Sequence, residues 1–141
     1  MSNASRPRLV FISHAGEDTW VARQIARAIA ARGAEVFLDE AHIEGGDEFD
    51  KILRDNLNRA DELVVLFTPW AARPYVWSEL GVAWGREIPI VVLLHGLTVD
   101  AVQAVQGFPQ YLKTRHMLSL NEVDKYLDQL ANRVTTDQPD E

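Results

Sequence analysis

Two runs near the middle of the chain, ELVVLFT (62–68) and IPIVVLL (88–94), are apolar with no polar alternation. A strand with water on one face alternates apolar and polar residues. One that does not alternate is covered on both faces, the condition of a parallel sheet held between two layers of helices. The rest of the sequence repeats this theme. RLVFIS (8–13), EVFLD (35–39) and HMLSL (116–120) are three further strand-like runs, and segments of helical periodicity lie between the five. Val21, Ile25, Ala28 and Ile29 recur at helical spacing, with Glu17 and Asp18 in the expected first turn and Gly33 as a stop. Asp47 is expected to cap a second helix carrying Phe49, Leu53 and Leu57 on one face. Pro74 opens a third at its first position. A short helix is expected between Thr98 and Gln106. Asn121 caps a last one, with Val123, Tyr126, Leu127, Leu130 and Val134 as its apolar stripe.

Strands alternating with helices define an α/β chain. Right-handed crossovers leave few topologies, and five strands suit the flavodoxin-like three-layer fold with a parallel sheet in the order 2-1-3-4-5. The 141 residues are the size of one domain. It is expected over 8–134, with 1–7 a disordered N-terminal segment or cloning remnant and 135–141 a disordered acidic tail.

Composition removes several functions. A formal charge of −7 with no basic stripe excludes nucleic acid as the main partner. The absence of cysteine excludes disulfides, thiolate metal sites and a Cys nucleophile. The longest apolar run is too short to span a bilayer, and the first residues lack a signal-peptide pattern, so a cytoplasmic protein without membrane contact is expected. His14, His42, His95 and His116 lie on separate segments without ligand spacing, and no metal is expected. No Gly-rich phosphate cradle of the GxGxxG or GxxxxGK[ST] type occurs. A phospho-accepting receiver would need paired acids after the first strand and an Asp ending the third, where this chain has ISHAGED and LFTP. Ser13 and His14 are neighbours on an extended segment and point to opposite sides, which excludes a Ser–His nucleophile pair.

In folds of this kind ligands bind beyond the carboxyl ends of the strands, at the switch point between strands one and three. The sequence places SHAGED, DEAHIEGG, TPWAARPYVWSE and HG there. In YVWSELGVAW (75–84) Glu79 is the only charged residue. Tyr75 and Glu79, four apart, share a helix face, while Val76, Leu80 and Ala83 form the stripe that packs on the sheet. Glu79 is therefore expected to project into the crevice. Trp77 and Trp84 lie beside the stripe and face either core or partner. Ser13 and His14 could contact a ligand there, or serve only loop hydrogen bonds. Asp39 could bind the same ligand or cap the turn after strand two. Arg73 is read as a solvated arginine.

Together, VFISHAGED, VFLDEAHIEGGDEF and YVWSELGVAW…IPIVVLL, in this order and spacing, resemble a Toll/interleukin-1 receptor (TIR) domain, with the bacterial kind the most similar. The resemblance runs from about Arg8 to about Val134. It implies one of two activities. Many TIR domains cleave the nicotinamide–ribose bond of NAD+ to give nicotinamide and ADP-ribose or a cyclic variant; others are non-catalytic interaction or scaffold modules. The NAD-cleaving members carry an essential glutamate in a W-x-x-x-E pattern of the third helix, and Glu79 matches it. The tryptophan position is held by Tyr75, with Trp77 two residues on, so either ring is a candidate to stack on nicotinamide. The loop after strand two lacks the receptors' proline and has Gly45 and Gly46, which together with Ile43 suit a gating or assembly loop. The resemblance further implies NAD+ as substrate with no separate cofactor, self-association through TIR–TIR contacts, a sensor domain or protein as trigger, and a role in bacterial innate immunity and antiviral defence. A nucleoside N-glycosyl transferase, which also uses a glutamate, is the distant alternative.

The reaction explains why one acid suffices. Ordinary glycosidases need two because the departing alkoxide must be protonated. The nicotinamide of NAD+ is a pyridinium and leaves neutral, so a single ionised carboxylate near the electron-poor ribose meets the need.

Overall fold

The computed structural model describes residues 6–40 and 47–137, with side chains over 6–40 and 50–136. The elements follow the order β1 (Leu9–Ser13), α1 (Thr19–Ala30), β2 (Glu35–Leu38), α2 (Asp47–Arg59), β3 (Glu62–Phe67), α3 (Pro74–Gly85), β4 (Ile90–Leu94), α4 (Val99–Gln103), β5 (Met117–Ser119) and α5 (Val123–Asp137). All four pairings are parallel and the sheet order is β2-β1-β3-β4-β5. This is the flavodoxin-like topology that the strand and helix pattern predicts.

Alternation along β1 divides the core. Leu9 and Phe11 face one layer, where Leu57 of α2 and Val76, Leu80 and Ala83 of α3 close over Leu63, Val65 and Phe67 of β3. Val10 and Ile12 face the other, against Ala22, Ile25 and Ile29 of α1 and Tyr126, Leu127, Leu130 and Val134 of α5. Most of the stripe residues read from the sequence are buried, whereas Val21, Ala28, Leu53 and Val123 are half-buried at the margin of the core, and Ala22 joins the buried face of α1. Because successive strand residues point to opposite sides, Ser13 falls on the α2/α3 side and His14 on the α1 side. That placement builds the site.

Helix ends depart from expectation in instructive ways. Glu17 and Asp18 belong to a separate 3-10 turn (Gly16–Asp18) ahead of α1, and Asp18 makes no capping bond; its carboxylate instead accepts from the Thr68 hydroxyl after β3. Asn121 does not start the last helix: it lies within a 3-10 turn, Leu120–Glu122, that precedes α5, and that turn is capped by Ser119, whose Oγ accepts from the Asn121 N–H at 3.2 Å. Asp47 is the first residue of α2 rather than its cap, and the Asp47 and Phe49 side chains lie outside the described residues. The fourth helix is shorter than expected and capped by Thr98, whose hydroxyl accepts from Ala101 N–H at 3.1 Å. Gly33 does end the segment after α1. Its φ of +93° suits glycine, and a Cβ there would come within 3.3 Å of Val134.

At the amino edge of the sheet sits a network the sequence did not reveal. Glu62, the first residue of β3, is fully buried. Arg133 of α5 donates to it twice, at 2.8 and 2.9 Å, Tyr126 donates at 2.9 Å, and Arg8 donates from before β1. A buried carboxylate is tolerated when paired and hydrogen-bonded in this way.

Candidate active site

The candidate site lies at the carboxyl ends of β1 and β2, under the first half of α3. Arg73 precedes the helix in extended conformation and Pro74 supplies the first-turn φ, so α3 starts with its N-terminus at the carboxyl edge of the sheet. From there Tyr75 and Glu79 share one face, as their spacing requires. Tyr75 is half-buried, and its hydroxyl donates to the His14 carbonyl at 2.9 Å, stitching α3 to the end of β1. The Tyr75 hydroxyl pKa is pushed up to about 12, first by burial; Arg73 opposes, while Asp39, Glu79 and Glu17 add to the rise.

Glu79 does not stand open in a crevice. It is 3% exposed. The correction has a physical cause: α3 is apolar on nearly every side, lies close on the sheet, and carries the Tyr75/Glu79 face down over the strand ends. There Glu79 meets Asp39, itself 2% exposed, and Ser13, fully buried. Asp39 continues the sheet ladder through its N–H to the Ile12 carbonyl at 3.2 Å. Its carboxylate is thus carried to Glu79, not out to a solvated turn. Burial, and then the adjacent Asp39 carboxylate, push the Glu79 carboxyl up to about 10, against a smaller lowering by the Ser13 hydroxyl. Glu79 is protonated at neutral pH in this conformation, not ionised as its proposed chemistry demands.

The Ser13 hydroxyl acts on Glu79 without reaching normal hydrogen-bond geometry. Neither Ser13 Oγ nor Glu79 Oε1 has a hydrogen-bond partner among the described residues. Buried polar atoms are nearly always satisfied, and an exception in a native fold calls for an explanation, whether strain, a bound water or ion, or a functional role. His14, also fully buried, turns its ring to α1, with Nε2 3.3 Å from Thr19 Oγ1. Its side chain serves the opposite side of the sheet from Ser13, and what it offers the Glu79 face is the carbonyl that holds Tyr75.

Trp77 is elsewhere. It stacks on Phe67 at 5.8 Å between centroids, meets Phe108 edge-on at 6.2 Å, and packs beside Gly107. Two residues along a helix is more than half a turn, so Trp77 and Glu79 cannot share a face. That signal was present in the sequence, and it leaves Tyr75 as the aromatic beside Glu79. Trp84, half-exposed, stacks on Tyr111 at 4.8 Å. Arg73 is paired with Glu17 at 2.9 Å rather than solvated alone. With Thr68–Asp18, it clasps the loop after β3 to the loop after β1 beside the site. Ile43, Gly45 and Gly46 lie outside the described residues. A groove of about 630 Å³ lies at the opposite edge of the sheet, where Trp84, Ile88, Arg115, His116 and Arg133 line it. Among the described residues no group of three or more His, Asp or Glu could hold a metal ion, and no helix is long and apolar enough to cross a membrane.

A three-layer parallel fold with an acid-bearing third helix at the switch point is the architecture of a TIR domain. The family model described as "TIR domain" matches residues 10–133, and the chain belongs to that family. No curated protein matches it.

Proposed function

We propose that this TIR domain is an NAD+ glycohydrolase or cyclase that cleaves the nicotinamide–ribose bond with Glu79 as its catalytic carboxylate. The observation that carries the reading is a lone helical carboxyl, seated at the switch-point edge, with Oε1 unpartnered and the unpartnered Ser13 hydroxyl beside it. Structural carboxylates are satisfied at both oxygens, as Glu62 is; Glu79 meets Asp39 but leaves Oε1 without a partner among the described residues. In the reaction the glycosidic electron pair leaves with neutral nicotinamide, and positive charge develops on the ribose. An anionic Glu79 stabilises that charge and accepts from the ribose hydroxyls, while Tyr75 offers the nicotinamide an aromatic face. Because Glu79 is covered in this conformation, activity requires a state in which the carboxyl meets substrate. Self-association through TIR–TIR contacts, driven by a sensor domain or protein, is the proposed trigger, with bacterial immune signalling as the setting.

The depth of Glu79 favours a second reading, a non-catalytic scaffold in which the acid is a relic of the fold. Nicotinamide release separates the two. Concentrated protein incubated with NAD+ should liberate nicotinamide, and Glu79→Ala should lower the rate by roughly 10²–10³-fold. Equal turnover by both chains would remove Glu79 from the mechanism. No turnover under any self-associating condition would leave the scaffold.

A further inference from the structure

We propose that Asp39 and Glu79 act as one proton-holding unit that selects a cationic ligand, the arriving positive charge taking the place of the shared proton. The inference rests on the NAD+ reading of this site and extends it to how the substrate is chosen.

The pair is assembled from two elements, the end of β2 and the middle of α3, in a place where both carboxyls are almost wholly buried. Two ionised carboxylates in contact cannot both persist in such surroundings, so the resting pair keeps one proton and one negative charge. Among the described residues the groups around it are few. Ser13 comes from the end of β1, Asp39 follows β2, and Tyr75 comes from α3, its hydroxyl held by the His14 carbonyl while the His14 ring turns away toward α1. Glu17 and Arg73, paired with each other, stand beyond Tyr75 and act on it. The other helix packed on α3, α2, turns Leu53 and Leu57 to the shared core. On the Glu79 carboxyl, burial first and then Asp39 raise the proton affinity, and Ser13 lowers it.

A second feature points to a ligand. Ser13 Oγ and Glu79 Oε1 belong to residues more than nine-tenths buried, yet neither has a hydrogen-bond partner among the described residues. Once the site is uncovered, a hydroxyl and a carboxyl oxygen are thus without competing partners for a guest's polar atoms, as a ribose diol would require.

The charges then balance through the cycle. Binding of a pyridinium expels the shared proton to solvent, leaving two negative charges facing one positive ring. When the C1′–N bond breaks, its electron pair goes to nicotinamide, and the positive charge passes to C1′ beside a carboxylate already ionised. Water adds its oxygen to C1′, and the proton it loses returns to the pair, restoring the resting state. A dihydronicotinamide ring carries no charge, so the reduced dinucleotide has nothing with which to displace the proton.

Calorimetry of the whole chain at pH 7, in two buffers of different ionisation heat, tests this. The probes are the carbocyclic analogue of NAD+, which retains the pyridinium and resists cleavage, and its dihydro form. The oxidised analogue should release about one proton per molecule bound, and the reduced form none. Glu79→Gln should bind the oxidised analogue without proton release, and Asp39→Asn should bring the two affinities together. Should Asp39→Asn fail to fold, the native chain alone decides. Proton-neutral binding of the oxidised analogue by a chain that still liberates nicotinamide from NAD+ would overturn the shared proton and leave the activity standing. A chain that binds neither analogue and liberates no nicotinamide would overturn both.

Discussion

Glu79→Gln should make this protein more stable, and increasingly so as the pH rises. The side chains are nearly the same in volume, and the glutamine amide can donate toward Asp39 as a protonated carboxyl does. What the variant loses is the obligation to take up a proton on folding. A carboxyl whose native pKa is raised, here from 4.5 to about 10, binds that proton in the folded state at any pH between the two. Its contribution to stability is therefore complete below the unfolded value and is lost progressively as the pH climbs toward 10. One proton corresponds to about 1.4 kcal/mol per pH unit. Between pH 5 and pH 8 the native chain should thus lose on the order of 4 kcal/mol that the variant keeps. That is a large share of the 5–15 kcal/mol or so typical of a domain. Urea denaturation of both proteins at the two pH values measures it, since titrating groups that do not face Glu79 cancel in the comparison. If the stability difference is the same at pH 5 and pH 8, Glu79 is not a buried carboxyl with a raised pKa.

Two further changes test the placement of other residues. Trp77→Ala should cost about 3 kcal/mol by urea denaturation, because it removes the ring packed against both Phe67 and Phe108; a cost below about 1 kcal/mol would return Trp77 to the surface. Glu62→Ala should cost about 3–5 kcal/mol, since it strands Arg8, Arg133 and Tyr126 around an empty position. A near-neutral result would mean the network is already solvated.

The strand runs, the sheet order and the core stripes were legible because each rests on local periodicity: Leu9 and Phe11 against Val10 and Ile12, or Val76, Leu80 and Ala83 along α3. The common face of Tyr75 and Glu79 was legible for the same reason. The depth of that face was not. Asp39 and Glu79 are far apart in the chain, and nothing in either segment announces that the extension of β2 by one ladder bond carries one carboxyl onto the other. An isolated acid in an apolar helix reads as a projection into solvent, yet the apolar surroundings of Glu79 are what draw it under cover. The Glu62 network was hidden likewise, because a glutamate at the start of a buried strand resembles any polar strand end until Arg8, Tyr126 and Arg133 converge on it.

That convergence has a consequence for how such a domain is joined to anything else. Arg8 enters from before the first strand and Arg133 from the last helix, and both terminate on the same side chain. Polypeptide attached at either side would therefore emerge from a single spot, at the end of the sheet remote from Glu79.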